Sequence, residues 1–146
     1  MAETPRSRSL SLIGIFYLAE SLLRMPSIES RTVVFGRFLF ARSAYACQLG
    51  LIVLGFFAAV AVLRRRSPGR TVGMGLSLLG VWNALLILVI PESRHMLIDL
   101  GARIGLDEHA ALVQMSLPYL VCGVIHAFCF MWLMTHAAAF RTQSAG

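Results

Sequence analysis

The chain runs to 146 residues, is 58% hydrophobic and 14% charged, and carries thirteen basic residues against seven acidic ones for a formal charge of +6. Mean hydropathy is +0.75. Ordinary globular domains carry about a quarter charged residues, so these figures exclude a soluble domain and place the chain among small integral membrane proteins. Every basic residue is Arg, so each positive charge is permanent and able to fork onto phosphate or carboxylate. The arginines flank apolar segments rather than lining one face, which suits the lipid bilayer and argues against a nucleic-acid partner.

The first apolar segment, Ser9 to Met25, reads SLSLIGIFYLAESLLRM and holds Glu20 and Arg24 in a stretch at the short end of the spanning range. Arg6 and Arg8 precede it as they would a signal peptide, but Leu18-Ala19-Glu20-Ser21 offers no small-residue cleavage pattern, so it reads as an uncleaved helix. Pro26 to Arg42 follows, with Arg31, Arg37 and Arg42 set among Val33, Val34, Phe35, Phe38, Leu39 and Phe40. That mixture predicts an interfacial helix whose arginines snorkel to headgroups.

Three runs without Asp, Glu, Lys or Arg then read as transmembrane helices: Ser43 to Leu63, Thr71 to Pro91, and Ala110 to about Ala139. The last is too long to cross without tilting, kinking or projecting, and Pro118 offers the kink. Between the first two lies Arg64-Arg65-Arg66-Ser67-Pro68-Gly69-Arg70, a short basic loop expected on the cytoplasmic, matrix or stromal side. If Ser9 to Met25 spans, seven arginines share that side and six lie opposite; if it does not, five face eight. The charge rule therefore favours four spans with both termini inside, in a bacterial inner membrane or an organelle inner membrane. Glu92 to His109 has apolar residues at helical spacing and reads as a second surface helix capping the outer face, weakened by Gly101 and Gly105. The reading is thus an all-α, polytopic transmembrane helical bundle in one domain, with spans at about 9–25, 43–63, 71–91 and 110–139 and interfacial amphipathic helices beside them.

Polar groups at membrane depth are the candidates for function. Glu20 with Arg24 four residues on makes an intrahelical ion pair the simplest reading, and a proton- or cation-coupling carboxylate the alternative. Gln48 and Asn83 suit hydrogen bonds between helices. Gly73, Ser77, Gly80 and Ala84 continue from Gly69 at steps of three or four, a stripe that lets helix backbones approach closely. In the last span Tyr119, Cys122, His126 and Cys129 follow one stripe, with His136 further on. Thiolate and imidazole are zinc and copper ligands, so His126, Cys122 and Cys129 form a candidate metal set beside the plainer reading of a packed core histidine. A haem held by His126 needs a partner histidine that the other spans lack, and quinone contact at His126, Tyr17 or Trp82 has no specific support. Cys47, Cys122 and Cys129 all lie in apolar runs and make no disulfide framework. Asp107, Glu108 and His109 precede the last span, where acidic residues suit a helix N-terminus.

Arg42-Ser43-Ala44-Tyr45 leading into Gly50-Leu51-Ile52-Val53-Leu54-Gly55, followed by the Arg64 to Arg70 turn, resembles the DoxX-like group of small four-helix membrane proteins. The resemblance lies in topology. It implies a four-helix membrane fold and, for some members, an accessory role in quinone-linked sulfur oxidation; it carries over no functional residue. The expected function is a non-enzymatic accessory, assembly or structural subunit meeting other membrane subunits or itself, with no cofactor. A homo-oligomeric transporter or channel for small solutes or ions, using Glu20, Asn83 or His126, is the alternative, and a redox or metal-binding membrane protein the second alternative.

Overall fold

The computed structural model describes residues 5–25, 31–34 and 37–140. Its helices are α1 (Pro5–Arg24), α2 (Ala41–Leu63), α3 (Ser67–Val89), α4 (Pro91–Ala102) and α5 (Glu108–Thr135), with a two-stranded hairpin, β1 (Arg31–Val34) and β2 (Arg37–Phe40), before α2. Among the described residues the regular structure is helical apart from that hairpin. Three helices among the described residues, α2, α3 and α5, are long and apolar enough to cross a membrane. Their outward faces carry large apolar side chains such as Phe57, Trp82 and Phe128, each at least half exposed, as a surface in contact with lipid requires.

Helix ends follow local chemistry. At the end of α2 the Arg65 N–H donates to the Val62 carbonyl and the Arg66 N–H to the Ala61 carbonyl, with Arg65 in the left-handed region at φ 53°. That is a Schellman turn in which Arg occupies a place usually held by Gly. Ile90 is extended and ends α3 while opening α4, because Pro91 disfavours helical backbone at the residue before it. The expected surface helix from Glu92 to His109 is shorter, closing where Gly105 turns at φ +83°. Asp107 then caps α5 by accepting from the Ala110 N–H at 2.8 Å. The run expected to reach Ala139 stops at Thr135 and passes into a 3-10 turn, Ala137–Phe140.

One expectation is overturned. The segment read as an interfacial helix contains an antiparallel hairpin instead, with Arg31 opposite Phe40 and Val34 opposite Arg37; residues 26–30, Phe35 and Gly36 lie outside the described residues. β-Branched Thr32, Val33 and Val34 and aromatic Phe38 and Phe40 favour a pleated strand, and the helical reading weighed their hydrophobicity without their propensity.

α1 runs antiparallel to α2. A side chain at Gly14 would meet Leu63 and Ala59, while one at Gly55 would meet Ser21. The last turn of α1 therefore lies beside the middle of α2, and α1 stops roughly 15 Å short of the start of α2 at ~1.5 Å per residue. Gly69 on α3 lies against the Ala61 backbone of α2, too close for any side chain. α3 in turn lies antiparallel on α5, with Gly73 against Leu133, Gly80 against His126 and Ala84 against Gly123. The Arg70 guanidinium donates from Nε to the Leu133 carbonyl at 2.8 Å and from Nη2 to the Met134 carbonyl at 3.1 Å, satisfying two open carbonyls at the end of α5. Leu10, Val62 and Phe140 join one apolar cluster, so the start of α1, the basic turn and the end of α5 share one end of the molecule.

Candidate functional site

The polar centre forms where α1, α3 and α5 meet. Glu20 Oε1 accepts from Arg24 Nη2 at 2.6 Å, the contact that four-residue spacing on a helix predicts. Across the interface, His126 Nε2 lies 3.3 Å from both carboxylate oxygens. Only 1% of His126 is exposed. Its ring is held from three sides, by the backbone at Gly80, by the edge-on ring of Phe16 with centroids 5.0 Å apart, and by Tyr17 beyond it. Any side chain at position 80 would occupy the imidazole's place. His126 Nδ1 is buried and has no hydrogen-bond partner among the described residues.

A second network lies one turn away. The Tyr17 hydroxyl donates to the Gly73 carbonyl at 2.8 Å and sits 2.6 Å from Ser77 Oγ. With its proton committed to the carbonyl, Tyr17 accepts from Ser77. The Ser21 hydroxyl donates to the Tyr17 carbonyl at 2.8 Å, a bond that leaves its buried oxygen satisfied against Gly55. The Tyr17 bonds tie α1 to α3, while the Ser21 bond stays within α1.

The sequence-derived candidates thus separate into groups. Glu20, Arg24 and His126 come together, and Cys122, one turn before His126, joins them: ligand atoms of Glu20, Cys122 and His126 all lie within 4.8 Å of one another. Cys129 belongs to the apolar cluster with Leu10, Ile13 and Leu133. His136 caps α5 and stacks flat on Trp132 at 4.2 Å between centroids, because the helix ends before it. Gly73, Ser77, Gly80 and Ala84 face Tyr17, His126, Leu133 and Gly123 of the same chain. Gln48 is buried on α2 and Asn83 half-buried on α3, each with interactions of its own. Sequence reasoning did not find the pairing of Glu20 with His126 or of Tyr17 with Ser77. The one available signal was the set Tyr17, Glu20, Ser21 and Arg24, in which Tyr17 with Ser21 and Glu20 with Arg24 are each four apart, placing four polar groups on one side of α1.

Chemically the arrangement is a carboxylate shared between a guanidinium and an imidazole, with a thiol beside them. Such a group can lock helices together, hold a proton or receive a cation. Compared with protein-family models, curated proteins and solved structures, the chain has no match among any of the three.

Proposed function

We propose that the protein is an integral membrane protein acting as a non-enzymatic accessory, assembly or structural subunit of a larger membrane complex. One observation carries the reading: Glu20 pairs with Arg24 and His126, and Tyr17 with Gly73, within the chain, while the outward faces of α2, α3 and α5 present large apolar side chains. A helix set bolted from inside, with broad apolar flanks, suits lateral contact with other membrane subunits. Four crossings are proposed. The first of these is α1, whose 20 residues at ~1.5 Å each match a hydrocarbon core of ~30 Å. Both termini then lie on the cytoplasmic, matrix or stromal side of a bacterial or organelle inner membrane, supported by the shared end of α1, the basic turn and α5, and by the arginine balance. A DoxX-like accessory role is the family-level form of this proposal.

Gentle detergent extraction from native membranes, native-gel sizing and mass spectrometry of co-migrating chains test it. Migration with several different membrane proteins is the expected result. A small homo-oligomer overturns it in favour of the second reading, a transporter. That reading draws on Glu20, whose side chain is 15% exposed beside an Arg24 side chain that is 39% exposed; there Glu20→Gln abolishes flux in liposomes.

A further inference from the structure

The ion-free cluster around His126 is incomplete in every protonation state. If Nε2 carries the proton and donates to Glu20, the Nδ1 lone pair is buried without a donor. If Nδ1 carries it, that N–H is buried without an acceptor, and the Nε2 lone pair faces the Glu20 carboxylate at 3.3 Å. If both nitrogens carry protons, the Nδ1–H remains unpaired. The Nδ1 atom stays unpaired in all three states, and a cation on Nε2 leaves it so; what a cation relieves is the second state, in which a lone pair and a carboxylate from two different helices face each other beside a thiol.

We infer that Glu20, Cys122 and His126 form a binding site for a borderline-soft divalent cation of the zinc class. The donor set is the first argument: one carboxylate oxygen, one thiolate sulfur and one imidazole nitrogen are ligands that zinc takes. Spacing is the second. Zinc–nitrogen and zinc–oxygen bonds of about 2.0–2.2 Å at a tetrahedral angle set the two ligand atoms about 3.4 Å apart, and His126 Nε2 lies 3.3 Å from Glu20 Oε2. All three ligand atoms fall within 4.8 Å, so Cys122 closes on the ion by a small side-chain adjustment. Charge is the third. Glu20 Oε1 stays with Arg24 at 2.6 Å while Oε2 turns to the ion, so the guanidinium orients the ligating carboxylate as an outer partner does in established metal sites. The ion replaces the clash between lone pair and carboxylate with two bonds. Binding converts the Cys122 thiol to a bound thiolate and releases its proton to solvent.

The site lies between α1 and α5, so the ion would act as a clasp fixing the short first helix against the last. Its fourth position stays with water or a partner's ligand, since three protein groups face it.

The test uses the full chain in detergent or nanodiscs, stripped with a chelator and then titrated with Zn²⁺, with Co²⁺ as the optical probe. The expected result is one tightly held ion per chain and a thiolate-to-cobalt charge-transfer band. Cys122→Ser, nearly isosteric at a half-buried position, removes both the band and the stoichiometric ion while elution on gel filtration is unchanged. Glu20→Gln weakens binding, and Cys129→Ser leaves it as in the wild type. A wild-type chain that retains no ion overturns the inference. So does binding that survives Cys122→Ser, which would belong to surface histidines such as His95 and His109.

Discussion

The interface of α3 with α5 and that of α1 with α5 meet at the same imidazole and are made of different materials. The first is built from missing volume: Gly80 and Ala84 on α3 and Gly123 on α5 let two backbones close on each other. The second is built from charge: Glu20 and Arg24 on a helix too polar to rank among the membrane-crossing candidates reach His126. In lipid, small residues at an interface secure close packing, whereas polar groups secure a particular partner. The α3–α5 contact therefore tolerates changes of chemistry but not of size, and the α1–α5 contact has the opposite sensitivity.

Gly80→Leu should be the most damaging change, because its side chain must displace the His126 ring. The cost is expected at about 3 kcal/mol or above, the upper end of overpacking, read as loss of a monodisperse peak on gel filtration. Glu20→Gln comes next, at about 2 kcal/mol, the loss of charge-assisted bonds to Arg24 and His126. Its effect should be confined: amide exchange rises along α1 and stays slow in α3 and α5. A uniform rise through all three helices would merge the two interfaces into one cooperative unit and break the comparison.

Tyr17→Phe removes the bonds to Gly73 and Ser77 while keeping the ring. About 1 kcal/mol is expected, near what hydrogen bonds between membrane helices yield, measured by denaturation in mixed micelles. No change would mean that the Tyr17 ring alone holds α1 on α3. The smallest effect is a gain: Arg65→Gly relieves a left-handed backbone at φ 53°, raising stability by up to about 1 kcal/mol. A lower thermal midpoint for that variant would show that the arginine side chain outweighs the backbone relief.

The apolar helices were legible because length and absence of charge suffice to mark them. Their ends were less so. The expected start at Thr71 misses a first turn opened by Pro68, and the expected end at Ala139 overlooks that Arg70 closes α5 near Leu133. α1 was legible as a helix but not in its reach, since hydropathy says nothing of where along α2 it stops. The hairpin was misread because strand propensity and interfacial amphipathicity draw on the same residues. Of the site, Glu20 with Arg24 was visible from local spacing. His126 lies 106 residues further on, and no local pattern connects a carboxylate on one helix to an imidazole on another. The stripe on α3 was visible as a stripe; which neighbour fills it depends on the fold.

α1 lies antiparallel on α2 and ends beside its middle, and that placement delivers Glu20 to His126. A Ser21→Cys, Gly55→Cys chain with Cys47, Cys122 and Cys129 replaced by Ser tests it in native membranes. A Cβ at position 55 stands 3.4 Å from that of Ser21, close to the span a disulfide needs, about 3.5–4.5 Å. Mild oxidation should give a rapid intramolecular disulfide. No cross-link, or one formed only between chains, would contradict the claim.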